Sequence, residues 1–387
     1  MEKLRDAQPE MVKIRRHLHA HPEVSFHEKE TAKYIKDFYQ DLDCKITDFG
    51  DGYGFAVDIE SGRPGKNLAL RADFDALAIQ EENDLEFKSQ NKGVMHACGH
   101  DGHTAYMMVL AKTLIELKDQ LKGGIRIIHQ PAEEVSPGGA KSMLAAGVLK
   151  GIDNVLGVHV MSSMPNRSIG YHLNETQTGR SNFTITFNGK GGHASMPQLS
   201  NDAIVAGAYF VTALQTVVSR RIDPFETASV TIGSFDGAGS YNAIKQSVTL
   251  KGDVRVMKED TRQTVREQIE KIAHGVEAMF GVKVDIDYDD NYPVLYNDPQ
   301  LTKETIKSIQ DANLPEIKQV FDCGPQDPSE DFAYFAQDTP SCFFYVGCQT
   351  SDGQNHPHHS PDFLMNEDCL LVAGEAVGTA ALSYLGV

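Results

Sequence analysis

The chain of 387 residues exceeds the usual size of one domain, so two are expected, and a hydrophobic fraction of 41% suffices for sizeable cores. Its 54 acidic against 36 basic residues, a formal net charge of -18, argue against a phosphate backbone or an anionic membrane surface as partner. Six scattered cysteines (Cys44, Cys98, Cys323, Cys342, Cys348 and Cys369), with no Cys-x-x-Cys pair, suggest neither a disulfide framework nor a zinc ribbon. The N-terminus leads into a charged amphipathic segment without an apolar signal core. No run is expected to span a bilayer, and a cytoplasmic location is expected.

Apolar residues at three- and four-residue spacing predict helices over 10–20 and 27–42. The histidines of Arg16-His17-Leu18-His19-Ala20-His21-Pro22-Glu23 between them read as a capped turn. Runs rich in Val, Ile and Leu predict strands at 54–60, 67–71, 124–129 and 154–160, separated by helices over 104–121 and 139–149. This alternation means a parallel or mixed sheet covered on both faces, with ligands bound beyond the carboxyl ends of its strands. From residue 178 the pattern changes: strand 183–187, helix 202–221, strands 229–234 and Ser247–Val256, helix 260–280, strand 282–288. That order is the split βαβ, ferredoxin-like arrangement. After 293 the first pattern returns, with a helix over 299–312, a strand over 342–346 and a last helix over 367–385. The expected fold class is α/β: a mixed-sheet domain from 1–178 and 292–387, with helices on both faces, and an inserted ferredoxin-like α+β domain at 179–291.

The densest chemistry lies in Met95-His96-Ala97-Cys98-Gly99-His100-Asp101-Gly102-His103. Thiolate, imidazole and carboxylate together are the ligand set of zinc and related divalent ions. Gln130-Pro131-Ala132-Glu133-Glu134 adds tandem glutamates after a strand, and adjacent carboxylates can divide the jobs of ligand and general base. Asp73 and Asp75 follow another strand, His159 closes a third, and His356-Pro357-His358-His359-Ser360-Pro361 lies near the C-terminus. All fall at strand ends or rim loops. A two-metal site needs about six ligand contacts with one bridging group, and a thiolate can bridge. Gly189-Lys190-Gly191-Gly192-His193-Ala194-Ser195 is a glycine-rich turn bearing one histidine. Ser329-Glu330-Asp331-Phe332 reads as an ordinary helix start without a catalytic role. No Gly-x-Ser-x-Gly elbow is present, which disfavours a serine hydrolase.

Taken in order along nearly the whole chain, 15–23, Arg71-Ala72-Asp73-Phe74-Asp75-Ala76-Leu77, the Cys98 loop, 130–134, Gly191-Gly192-His193-Ala194-Ser195, Ser329-Glu330-Asp331-Phe332 and His359-Ser360-Pro361 resemble one metallopeptidase family. It holds aminoacylases, succinyl-diaminopimelate desuccinylases, glutamate carboxypeptidases and auxin-conjugate amidohydrolases. The Cys98 loop resembles its auxin-conjugate and bacterial N-acyl-amino-acid amidohydrolase branch. The resemblance implies that Cys98 bridges two divalent ions, zinc or manganese, with cobalt as a further option. His100 and His159 would complete one ion's protein ligands, and Glu134 and His359 the other's, with His358 as the alternative. Glu133 would be the general base, and Asp75 would orient a ligand. Asp73 stands where other branches carry a ligand histidine, and its role is left open. The inserted domain would pair two subunits in a dimer or tetramer, with His193 reaching a neighbour's site to polarise the scissile carbonyl. Asn242 and Arg255 match positions near the substrate. The expected function is metal-dependent hydrolysis of the amide bond of an N-acyl amino acid. A dipeptidase or aminopeptidase acting on small peptides is the alternative. A non-catalytic metal-binding scaffold is a third reading, against which Glu133 and the complete ligand set speak.

Overall fold

The computed structural model describes residues 2–352, 354 and 356–387; Met1, Gly353 and Asn355 lie outside the described residues. The chain divides into two compact units: Met1–Thr176, Tyr296–Pro325 and Asp331–Val387 form one, Gln177–Leu295 and Gln326–Glu330 the other.

The first unit is built on an eight-stranded mixed sheet in the order Lys45–Asp48, Phe55–Glu60, Gly124–Gln130, Asn67–Asp73, Asn154–Met161, Ser341–Gly347, Ser168–Tyr171, Gln319–Asp322. Gly124–Gln130, Asn67–Asp73, Asn154–Met161 and Ser341–Gly347 run parallel, so their carboxyl ends share one edge. These are the near-continuous apolar runs, and Ser341–Gly347 is buried at every position, as a strand covered on both faces must be. The helix His100–Glu116 is buried almost all round and packs against the helices Gln8–Ala20 and Asp368–Tyr384.

The second unit has an antiparallel sheet ordered Ala228–Asp236, Ser247–Val256, Gly179–Asn188, Lys283–Asp289. Gly179–Asn188 alternates buried and half-buried residues without a break, because only one of its faces meets the helices. Phe183, Ile185 and Phe187 on that face pack with Phe210 and Leu214 of the helix Ala203–Arg221 and with Val265 and Ile269 of the helix Glu259–Phe280. The order matches the ferredoxin-like expectation.

Three four-residue strands of this first sheet were not expected: Lys45–Asp48, Ser168–Tyr171 and Gln319–Asp322. Two of them have exposed ends and half-buried middles, which leaves no periodic apolar signal. The expectation that no run could span a bilayer needs correction on length and apolarity alone, since Ala203–Arg221 passes both criteria. Its Ala203, Ala206, Phe210, Leu214 and Val217 pack in the core of the second unit.

Candidate active site

The parallel strands deliver the expected residues to one rim. Asn67–Asp73 ends in Asp73 with Asp75 just beyond, Gly124–Gln130 leads into Glu133 and Glu134, and Asn154–Met161 carries His159. The Cys98 loop enters the helix His100–Glu116 through Gly99, whose φ is 88°. A Cβ there would lie 2.4 Å from Cγ2 of Val160, so glycine alone fits this approach.

Three donor groups converge: Cys98, His100 and His159; Cys98, Glu134 and His359; His100, Glu133 and Glu134, with the ligand atoms of each group all within 4.8 Å of one another. Cys98 belongs to the first two. The thiol therefore lies between a histidine pair and a glutamate–histidine pair, the placement of a bridging donor. His159 Nε2 is 3.4 Å from Cys98 Sγ, and His359 Nε2 is 3.3 Å from Glu134 Oε2. His358 is engaged through one ring nitrogen, its buried Nδ1 has no hydrogen-bond partner among the described residues, and it belongs to none of the donor groups. Its Nε2 accepts the Ser162 N–H at 3.1 Å, and burial pushes its pKa down to about 3.

The first orienting group is Asp75. Its Oδ1 lies 3.1 Å from His100 Nδ1, and its Oδ2 accepts from Ser25 Oγ at 2.7 Å and from the Glu134 N–H at 3.0 Å. Burial pushes the Asp75 pKa up, but His100 and these donors outweigh it and leave it below the usual value. His100 Nε2 is thereby turned to the donor groups. Among the described residues it has no hydrogen-bond partner, and neither has Glu134 Oε1. Buried donor atoms left without partners on imidazole and carboxylate, beside a buried thiol, fit a divalent cation and its orienting shell. Burial opposes charge on His100, yet Asp73, Asp75 and Glu134 raise its pKa to about 10.

His159 is oriented by a longer chain. Its Nδ1 donates to the Val160 carbonyl at 2.6 Å, leaving Nε2 for Cys98. The Val160 N–H donates to His103 Nε2 at 2.9 Å, so the other ring nitrogen of His103 donates to Asp73 Oδ1, at 2.6 Å. Asp73 Oδ2 accepts from Arg71 at 2.6 Å. Asp73, whose role the sequence left open, is thus engaged by Arg71 and His103 and supports His159 through the backbone. Burial raises the Asp73 pKa, but Arg71, His100 and His103 outweigh it and hold it well below the usual range.

Asp331 corrects the reading of its motif as a plain helix start. The helix Ala333–Asp338 does begin just after it, but no side chain caps that helix. Asp331 instead accepts from Arg71 at 3.0 Å, from Gln130 Nε2 at 2.7 Å and from the Ala140 N–H at 3.0 Å. Sequence reasoning missed His103 and Asp331. His103 had a signal, one helical turn beyond His100 on the same face. Asp331 had none, being 260 residues from Arg71.

The second unit brings His193 and Asn242 together and keeps Arg255 apart from them. Gly192–His193 pairs with Ala243–Ile244, and the Ala194 N–H donates to the Asn242 carbonyl at 3.1 Å. The exposed His193 ring takes the Ser195 hydroxyl at 2.7 Å on Nδ1. Arg255 lies at the far end of Ser247–Val256, where it donates to Asp253 at 2.9 Å and to Ser329 at 3.3 Å.

Three comparisons bear on this site. A candidate aminohydrolase from methicillin-resistant Staphylococcus aureus superposes with a TM-score of 0.97 at 55% identity, over 99% of this chain and 98% of that one. A dinuclear metal-binding peptidase of the M20 family from Bacillus subtilis gives 0.85 at 30% identity, over 98% and 99%. An N-acyl-L-amino acid amidohydrolase of Geobacillus stearothermophilus is 40% identical over 292 residues, 76% of this chain and 79% of its own length. The profile of peptidase family M20/M25/M40 matches residues 69–382, which takes in every residue of the three donor groups. The chain belongs to peptidase family M20/M25/M40 and is a hydrolase of amide bonds.

Proposed function

We propose that the chain hydrolyses the amide bond of N-acyl amino acids, using a pair of divalent ions, zinc or manganese, held by Cys98, His100, Glu134, His159 and His359. The observation that carries this reading is the membership of Cys98 in two donor groups, with Glu133 beside Glu134 in a third. Kinship with an N-acyl-L-amino acid amidohydrolase supports the substrate class. When bound, the ions bring a water toward neutral pKa and polarise the amide carbonyl. Glu133 lies 4.0 Å from His100 Nε2, is nearly buried, and follows a strand end that aims it at the rim. It takes a proton from the attacking water and gives it to the leaving amine. Asp75 and the Asp73–His103 pair hold His100 and His159 in the tautomers that face the rim.

The second unit is the dimerisation and lid domain of this proposal. His193 and Asn242, exposed on two neighbouring hydrogen-bonded segments, meet the substrate together, and His193 donates to the developing oxyanion in the site of a partner subunit. The sheet edge Ala228–Asp236 and the exposed Ile204, Val205 and Tyr209 of the neighbouring helix supply a face for that pairing. Arg255 acts at the substrate's polar end.

A panel of N-acetyl, N-succinyl and aromatic-acyl amino acids, with dipeptides as competitors, assayed with zinc, manganese and cobalt in turn, tests the reading. Turnover of at least one acyl amino acid well above every dipeptide is expected. A consistent preference for dipeptides would replace the reading with a peptidase.

A further inference from the structure

Glu133 and Glu134 are consecutive, yet the proposed function asks them to do different work. Their placement is set just upstream. Ala132 has a φ of 53°, in the left-handed region, although it carries a Cβ. That conformation costs on the order of 1–2 kcal/mol and needs something to hold it. The Ala132 N–H donates to Glu28 Oε1 at 2.8 Å, and the Ala132 carbonyl accepts the Gly139 N–H at 3.0 Å. Glu28 and Ala132 are both fully buried.

Glu28 reaches this turn because the segment before it is docked behind the ligands. The Ala76 N–H donates to the Glu23 carbonyl at 2.8 Å, and Ser25 donates to Asp75, which also takes the Glu134 N–H. The other Glu28 oxygen, Oε2, has no hydrogen-bond partner among the described residues. Burial and then the Asp75 charge push the Glu28 pKa up to about 7. A carboxyl kept in such surroundings lowers stability, and such groups collect where function needs them.

We propose that Glu28 is a positioning residue: it pins the left-handed turn at Ala132 and so fixes Glu133 as base and Glu134 as ligand. This rests on the assignment of those two roles above. Three substitutions separate its parts. Glu28→Ala removes the acceptor, Glu28→Gln keeps an acceptor oxygen of the same shape, and Ala132→Gly removes the conformational cost.

Hydrogen exchange at the Ala132 amide is expected to speed up in Glu28→Ala and to stay slow in Glu28→Gln. Ion affinity of the metal-free protein, measured by competition with a chelating dye, is expected to fall ~10–100-fold in Glu28→Ala. kcat falls with it while KM stays near the parent value, and adding Ala132→Gly recovers part of both. Parent-like exchange in Glu28→Ala overturns the clamp whatever the ions do. So does a Glu28→Gln protein as impaired as Glu28→Ala, which would assign the effect to charge. If the parent protein takes up no zinc or manganese, the functional reading fails by itself, and the exchange measurement still decides the clamp.

Discussion

The rim of the first unit and the His193 turn of the second hold their side chains by opposite means. At the rim most orienting bonds join distant parts of the chain: Asp75 to Ser25, Asp73 to His103, Arg71 to Asp331. In the second unit His193, Asn242 and Arg255 each have a local bond, and among the described residues only Arg255 adds a distant one, to Ser329. His193 is tied to Ser195, Asn242 to Ser240 and Arg255 to Asp253, each two residues away. Long-range bonds between buried groups fix position absolutely, which a metal centre with sub-ångström tolerance needs. Local bonds fix only a rotamer and let the whole turn be placed by something else. Under the proposed function, the difference separates ion ligands fixed within one unit from substrate-binding residues whose position something else must set.

Breaking the rim at its shared donor gives the largest effect. Cys98→Ser is expected to remove bound metal and activity together, because two donor groups share that thiol. Metal analysis of the purified variant checks it, and two ions retained per chain with full turnover would sink the bridging role. Glu133→Gln is expected to keep metal and substrate binding while kcat falls ~10²–10⁴-fold. Loss of metal instead would exchange the roles of Glu133 and Glu134.

The local side of the comparison is tested by His193→Ala, expected to lower kcat ~10²–10³-fold, the weight of one oxyanion donor. Mixing it with Glu133→Gln subunits rebuilds one intact site in a mixed dimer, so part of the activity should return. If subunits demonstrably exchange and none returns, the histidine serves its own chain or no site. A smaller effect is expected from His103→Gln, which cuts the chain behind His159: ion affinity falls ~10–100-fold with the fold intact by circular dichroism.

The smallest effect concerns stability. Glu28 has its pKa raised to about 7 from 4.5. Between those values the folded protein holds a proton that the unfolded chain has released, so this group's contribution declines as pH rises through that window. Above it the buried charge costs on the order of 3 kcal/mol. Glu28→Gln should therefore raise the Tm of the metal-free protein more at pH 8 than at pH 5. Equal gains at both would deny the buried charge.

What was legible in the sequence follows the same division. The parallel strands of the first sheet announced themselves as apolar runs, and their carboxyl ends located Asp75, Glu134 and His159. The second unit was readable because one-sided burial imposes a period of two on Gly179–Asn188. The partners behind the ligands left no comparable trace. Arg71 and Asp331 meet across 260 residues, and Glu28 and Ala132 across 104. No local pattern encodes such a meeting. Asp331 even stood in a motif whose helix-start reading was sufficient by itself. His358 and His359 are adjacent and chemically identical, and the structure tells them apart: His359 reaches Glu134 at 3.3 Å, whereas His358 takes the Ser162 N–H.

Ser341–Gly347 enters the sheet between Asn154–Met161 and Ser168–Tyr171, two strands that leave the ribosome long before it. Until it arrives, a growing chain carries Asn154–Met161 as an open row of N–H and C=O groups, a template for pairing with the wrong partner. The second unit has local topology and can fold in that interval; the first cannot close its sheet. His359 is made later still. In the proposed site the two ions would therefore find their full ligand set only after the last central strand has been made, so metal loading would report on completed synthesis.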